Sequence, residues 1–306
     1  MTKYYVDIIN AAAKADPKGF IEQCSENYIS SVEDAATIML DKGKKVIMLA
    51  GPSSSGKTTT AKILENTMEK SGCEVYTVSL DDFYLPNRED YPRNKDGSYN
   101  FESIEALDIP MIKKCFTELI EDGESNLPIY DFGIQTRSDQ VNNIRLGKDG
   151  VMIVEGIHGL NPIITDCLPN DAMARLYVSV STRIFEENGE IMLRKRNLRL
   201  LRRLVRDNRF RDTNAEGTLA TWKSVMAGED NFIFPFRNHA DIKLDSFHPC
   251  EIGLLACEAM ELLAGVHDTP YDMMAQNLLE KIRRFRVIDR SYLKCESLLY
   301  EFLGKN

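Results

Sequence analysis

Val46-Ile47-Met48-Leu49-Ala50-Gly51-Pro52-Ser53-Ser54-Ser55-Gly56-Lys57-Thr58 is a short apolar run, a glycine-bounded polar loop and the start of a helix, in that order. The pattern G-x-x-x-x-G-K-[ST] needs these residue types for physical reasons. Its glycines let the backbone curl so that successive N–H groups point inward at phosphate oxygens. A helix beginning at Lys57-Thr58 adds its N-terminal partial positive charge. Lys57 then reaches the β- and γ-phosphates, and the Thr58 hydroxyl is placed to ligate Mg²⁺. The same letters also fit an ordinary strand–turn–helix junction. Context favours the phosphate loop: a buried strand by length enters it, and helix formers from Thr58 to Lys70 leave it, stopped by Ser71-Gly72. The expected triphosphate-holding set is Gly51, Ser53, Ser54, Ser55, Gly56, Lys57, Thr58 and Thr59.

Outward from the loop, 74–80, 151–154 and 176–180 read as three further strands, alternating with helical stretches. That alternation predicts a mostly parallel sheet covered on both faces. Before the loop, Ile21, Cys24, Tyr28, Val32, Ala35 and Met39 recur at helical steps, and Asp41-Lys42-Gly43 supplies a stop. The bland reading of 1–42 is a packing appendage. The polar span 86–99 is rich in turn formers and predicts a mobile loop. Helical patterning resumes after Cys250, and Thr269-Pro270 reads as an N-cap followed by proline at the first helical position.

A phosphate loop needs an acidic residue near the metal, commonly at the end of a neighbouring strand. Val151-Met152-Ile153-Val154-Glu155-Gly156 fits, so Glu155 is the candidate for holding Mg²⁺ through a water; the alternative is a strand-terminal surface glutamate. The strand before it ends at Leu80-Asp81-Asp82-Phe83-Tyr84. A carboxylate there suits acceptance of an alcohol proton during phosphoryl transfer. An N-cap or turn role fits the spacing equally well.

Residues 194–211 carry Arg194, Lys195, Arg196, Arg199, Arg202, Arg203, Arg206, Arg209 and Arg211. On a helix, Arg199, Arg202, Arg203 and Arg206 share one arc and Leu198, Leu200, Leu201, Leu204 and Val205 the opposite one. Three readings compete: a solvated basic face, an RNA-binding helix, and a lid laying arginines over the transferring phosphoryl group. The upstream phosphate loop favours the lid.

The composition sets outer bounds. A hydrophobic fraction of 43% and a charged fraction of 28% describe an ordinary globular chain able to build a sizeable core. Net charge is −9, from 38 basic and 47 acidic residues, which argues against indiscriminate binding to nucleic acid or anionic membrane. Seven scattered cysteines form no C-x-x-C pair and read as reduced thiols; no apolar run approaches membrane-spanning length. The start shows no secretory segment, and a cytoplasmic address is expected. His158 follows the strand ending at Glu155 closely enough to approach a substrate, but as a lone histidine reads as structural; His239, His248 and His267 show no ligand spacing, Cys250 and Cys257 read as core thiols, and Trp222 as packing for the helix after the lid.

Taken in order, the motifs resemble the uridine kinase and phosphoribulokinase family of P-loop kinases. They are the phosphate loop, Asp81-Asp82-Phe83-Tyr84, Tyr99-Asn100-Phe101-Glu102, Leu127-Pro128-Ile129-Tyr130-Asp131-Phe132 with Thr136-Arg137, Glu155-Gly156-Ile157, and Arg202-Arg203-Leu204-Val205-Arg206-Asp207. Within the family, Glu155-Gly156-Ile157-His158-Gly159-Leu160-Asn161-Pro162, Asn231-Phe232-Ile233-Phe234-Pro235-Phe236 and the ending Glu301-Phe302-Leu303-Gly304 are similar to bacterial nucleoside kinases in which the kinase domain follows a threonyl-tRNA synthetase-like segment. No such segment stands before the loop here, so functions tied to it are not expected.

The resemblance implies an α/β P-loop fold: a doubly wound, mostly parallel sheet of nucleotide-kinase type with a helical lid. The expected division is 1–42 as a helical segment, 43–266 as the kinase domain with the lid at about 192–214, and 267–306 as a C-terminal helical segment. It implies ATP- and Mg²⁺-dependent phosphorylation of a nucleoside 5′-hydroxyl, uridine or cytidine first. Asp81 would be the general base, with Lys57, Arg203 and Arg206 carrying charge. Tyr84, Phe101, Tyr130 and Phe132 would enclose the nucleoside, Glu102 would bind ribose hydroxyls, and Gln135 and Arg137 would lie near the base and sugar. Two substitutions depart from the family pattern: Gln135 stands where uridine–cytidine kinases have His, and Glu102 where they have Asp. The stretch after Arg206-Asp207 is shorter than usual, leaving open which of Arg209 and Arg211 reaches phosphate, and 188–191 looks like extra sequence. Family members often self-associate, which these residues do not themselves indicate. The rival readings are a kinase for another small alcohol, such as a sugar phosphate or pantothenate, and a nucleotide-sensing regulator.

Overall fold

The computed structural model describes residues 3–94, 97–294 and 296–304. Met1, Thr2, Lys95, Asp96, Cys295, Lys305 and Asn306 lie outside the described residues. Five strands form one sheet: β1 (Val46–Ala50), β2 (Glu74–Ser79), β3 (Gly150–Glu155), β4 (Met173–Ser179) and β5 (Ile242–Asp245). Their order is β5-β4-β1-β3-β2, and every pairing is parallel. The doubly wound parallel sheet read from the sequence is therefore present. All five residues of β1 are buried, which is why that strand reads as an unbroken apolar run. After β3 the chain crosses to the other side of β1, so the ligand crevice of an open α/β sheet opens at the carboxyl end of β1.

The two faces of the sheet bury separate cores. Ile47 and Leu49 face a core shared with the helices Pro17–Asp41, Lys57–Lys70, Lys195–Phe210 and Glu251–Ala264. Val46, Met48 and Ala50 face the other, built with the helix Ile109–Glu121. The alternation is the two-residue period of a strand. A strand pair outside the main sheet, Glu124–Asp131 with Thr136–Arg145, is antiparallel. Its outer strand buries only Ile144, too polar a stretch to stand out in the sequence.

The N-terminal segment carries two helices. Val6–Ala15 and Pro17–Asp41 are separated at Asp16, whose Oδ1 accepts from Gly19 N at 2.9 Å while Pro17 opens the second helix. The expected apolar face, Ile21 to Met39, is buried, and Tyr28 shares a 2.6 Å hydrogen bond with Thr60 on the P-loop helix. The extra sequence at 188–191 has a structural role. Gly189, at φ +84°, turns a small hairpin of Ile184–Phe185 against Ile191–Leu193, and Tyr4–Tyr5 adds to it as a third strand. Cys250 is buried as expected, whereas Cys257 is exposed on the outer face of its helix. Among the described residues, no helix is long and apolar enough to cross a membrane.

Candidate active site

The loop after β1 is shaped by close contacts that exclude side chains at its two glycines. A Cβ on Gly51 would lie 2.1 Å from the Val178 carbonyl oxygen of β4. Gly56 sits at φ +90°, where a Cβ would lie 2.4 Å from Leu298 Cδ1. Ser54 also takes a left-handed conformation, at φ +57°. Lys57 folds back over the loop, its Nζ 3.5 Å from the Pro52 carbonyl oxygen. The hydroxyls of Ser54 and Ser55 are buried without a protein partner, the condition expected of groups meant for a ligand.

The arginine helix Lys195–Phe210 grips this loop from behind. Arg199 Nη1 donates to the Ser53 carbonyl at 3.0 Å, and Arg202 Nη1 to the Ser54 carbonyl at 3.3 Å. In a planar trans peptide the N–H points opposite to the C=O, so pinning the Ser53 carbonyl fixes the direction of Ser54 N–H. Both guanidiniums are buried and neutralised. Arg199 pairs with Glu229 and lies over Trp222 at 5.6 Å. Arg202 donates to Glu251 at 3.1 and 2.6 Å and lies over Phe302 at 5.0 Å. Half of the basic arc read from the sequence is thus under the phosphate loop. It presents no continuous basic surface to solvent, which leaves the RNA-binding alternative without a stripe. Trp222 packs this helix rather than only its own.

The other half of the arc faces the site. Arg203 Nη1 donates to Ser53 Oγ at 2.8 Å. Asp207, almost fully buried, holds Arg203 at 3.1 Å, Arg206 at 2.7 Å and Arg211 at 3.7 Å. Arg209 turns away to Glu258, at 2.8 Å. Arg211 is the residue of that pair that shares Asp207 with Arg203 and Arg206, with its side chain 58% exposed. Desolvation lowers its pKa, as does Arg206, against the opposing pull of Asp207, Asp81 and Glu301.

Asp81 lies in the short 3-10 turn Leu80–Phe83 that follows β2. Ser79 Oγ accepts from Asp81 N at 3.3 Å and donates to Glu155 Oε1 at 3.1 Å, tying together the ends of β2 and β3. Burial raises the pKa of Asp81, Lys57 and Arg211 lower it, and Asp82 raises it again. Burial likewise raises Glu155, with Lys57 opposing and Asp81 adding to the rise. Asp82 is otherwise engaged, accepting from Tyr130 N at 3.2 Å and so fastening the antiparallel pair to the sheet. The geometry separates two neighbours that spacing left equivalent.

Beside these acids stands a cluster of rings. Tyr84 has centroids of Tyr130, Phe101 and Phe132 at 5.6, 6.2 and 6.5 Å, and Tyr130 and Phe132 are 5.0 Å apart. Tyr91, which the sequence does not mark out, and Tyr99 of the motif Tyr99-Asn100-Phe101-Glu102 join it at 5.4 and 6.1 Å from Phe101. Phe101 and Phe132 remain exposed, at 43% and 59%, in contrast to the buried Tyr91 and Tyr130. Arg137 is held at the edge of the cluster by Asp108 at 3.1 Å and the Tyr84 carbonyl at 3.2 Å. Gln135 is exposed at the tip of the strand pair, in a left-handed conformation at φ +55°. Glu102 reaches inward: its stem packs on Gly228, where an added Cβ would lie 2.4 Å from Glu102 Cβ. Its Oε2 is buried without a partner. Burial pushes its pKa up to about 7, with Arg203 and Lys57 lowering it and Glu229 and Asp81 raising it. His158, buried against Phe232, is kept neutral by burial, which pulls its pKa down to about 4.

Residues 46–166 match the family model described as Phosphoribulokinase / Uridine kinase family. Uridine-cytidine kinase B of Dictyostelium discoideum is 27% identical over 199 residues, covering 64% of this chain and 72% of its own. A uridine kinase of Staphylococcus aureus is 29% identical over 206 residues, covering 66% and 87%. Among solved structures, one described as a possible uridine kinase from Bacillus stearothermophilus aligns over 71% of this chain and 98% of its own, with 17% identity and a TM-score of 0.47. From β1 and its phosphate loop through the aromatic cluster to Glu155 and just beyond, residues 46–166 are similar to the phosphoribulokinase / uridine kinase family.

Proposed function

We propose that this phosphotransferase moves the γ-phosphoryl group of ATP to the 5′-hydroxyl of a nucleoside, with uridine and cytidine the first acceptors to test. The observation that carries the reading is the meeting of Asp81 and Glu155, tied through Ser79, with Lys57 and the unpartnered Glu102 beside the aromatic cluster. The names of the relatives favour a pyrimidine nucleoside. In this reading Tyr84, Phe101, Tyr130 and Phe132 enclose the base and sugar, offering flat apolar faces. The unpartnered Glu102 carboxylate accepts from ribose hydroxyls. Asp81 accepts the proton of the 5′-hydroxyl as its oxygen attacks, and Lys57, Arg203, Arg206 and Arg211 stabilise the charge that grows on the transferring group. Gln135 and Arg137 stand at the edge of the cluster, Arg137 mainly as a support.

The donor set suits Mg²⁺. Thr58 follows Lys57 in the first turn of its helix, and Glu155 ends the adjacent strand, so a hydroxyl and a carboxylate offer hard oxygen ligands beside the loop. When bound, the ion would neutralise charge across the β- and γ-phosphates. Gly51, Ser53, Ser54, Ser55, Gly56, Lys57, Thr58 and Thr59 would hold the triphosphate itself.

Release of ADP from ATP and Mg²⁺ across a panel of nucleosides, sugar phosphates and pantothenate tests the reading, with Lys57→Ala as control. Turnover with uridine or cytidine that vanishes in the variant is expected. Turnover with a sugar phosphate or pantothenate alone would replace the acceptor. A second expectation concerns pH. Glu102 must be ionised to accept from two hydroxyls, and its pKa is about 7, so nucleoside KM falls as pH rises from about 6 to 8. Glu102→Gln flattens that dependence and raises KM. The same group acts on stability with the opposite sign. Its folded pKa lies above the ordinary 4.5, so its contribution in the ligand-free protein is retained at low pH and lost as pH rises toward about 7. Thermal unfolding of wild type and Glu102→Gln across that range checks the sign.

A further inference from the structure

The C-terminal turn Tyr300–Leu303 is seated where the P-loop helix Lys57–Lys70 begins. Leu298 packs against Gly56, the Phe302 ring lies 5.0 Å from the Arg202 guanidinium, and Gly304 abuts Phe210. Leu298, Leu299, Phe302 and Leu303 are all buried. These anchors hold Glu301 against the first turn of the helix. Thr59 N–H and the Thr59 hydroxyl both donate to Glu301 Oε2, at 3.2 and 2.9 Å. Thr59 is the third residue of that helix, so its N–H is one of those left unpaired within the helix, and Gly56 at the N-cap has no side chain to satisfy any of them. A fixed carboxylate therefore sits on donors that, in a phosphate loop, face the nucleotide's phosphates. Its charge is felt further in as well, raising Glu155 and opposing the fall at Arg211.

We propose that Glu301 is an intramolecular competitor for the donor nucleotide: its carboxylate occupies Thr59 and so sets how tightly ATP and ADP are held. The proposal rests on the reading of the loop as the ATP site. An incoming nucleotide must share or displace the carboxylate at Thr59, beside like charge. The consequence is weaker nucleotide binding and faster loss of ADP after transfer. A residue that only capped the helix would have the opposite signature, since weakening the cap would leave affinity unchanged or lower it.

Isothermal titration of ATP and of ADP, each with Mg²⁺ and no acceptor, into wild type and Glu301→Gln decides between these. Gln keeps an oxygen for Thr59 and removes the charge, so the fold is retained, with thermal unfolding as the check. Both nucleotides should bind the variant about fivefold more tightly, near the upper end of what one charge contributes at a helix N-terminus. Glu301→Ala, which removes charge and cap together, should show the same direction. Unchanged or weaker binding by both folded variants, with wild type binding ATP, would reduce Glu301 to a cap and leave the loop assignment standing. No ATP binding by any of the folded proteins would remove the loop assignment and this proposal with it.

Discussion

Asp81→Asn lowers turnover by about 10²–10⁴-fold, the range supplied by a positioned general base, while ATP affinity stays close to wild type. The expectation follows from where the two neighbouring acids point. Asp82 is committed to Tyr130 N, whereas Asp81 sits in the field of Lys57 and Arg211 at the end of β2. Asparagine keeps the shape of the side chain and its place beside Ser79 but cannot take a proton. The pH profile supplies a second readout. Burial raises the Asp81 pKa, and only the ionised carboxylate accepts a proton, so activity is lost as pH falls through that raised value. The residual activity of the variant should lack this acid limb. Asp82→Asn is expected to change stability more than the pH profile.

Glu251→Ala costs about 3–5 kcal/mol of unfolding free energy, because it strands a fully buried guanidinium without its counter-charge. Arg202 and Glu251 are both at 0% side-chain exposure, so water cannot replace the lost partner. Urea unfolding checks this, with Glu258→Ala as comparison. That variant removes the partly exposed partner of Arg209 and should cost only about 0–1 kcal/mol. The double variant Arg202→Met/Glu251→Leu separates stability from function. Apolar replacement of both charges should recover much of the lost stability. It also removes the hydrogen bond to the Ser54 carbonyl, so KM for ATP should remain raised in a protein that folds. A double variant with normal KM for ATP would show that Arg202 supports the fold and not the loop.

The parts of this site legible in the sequence are those set by local chemistry. β1, the phosphate loop and its helix follow from thirteen contiguous residues whose types leave few alternatives. Glu155 was readable for the same reason, as an acid ending an apolar strand. The helical period correctly placed Arg199 and Arg202 on the arc opposite Leu198 and Leu201. It could not say what covers that arc, because their counter-charges, Glu229 and Glu251, lie 30 and 49 residues further on. The antiparallel pair and β5 escaped notice because the first is polar on its outer strand and the second is a four-residue edge. Arg211 and Arg209 are equivalent by composition and separate only once Glu258 is seen to claim Arg209. Glu301 acts across 242 residues of chain, a distance no spacing rule spans.

The central claim is transfer from ATP to a nucleoside 5′-oxygen, and ³¹P NMR of the protein with ATP, Mg²⁺ and uridine or cytidine reads it directly. A new phosphomonoester resonance, split by the two 5′-methylene protons and growing in step with ADP, is the predicted result. Growth of inorganic phosphate with ADP and no phosphomonoester, in a protein whose Lys57→Ala variant is silent, would contradict it.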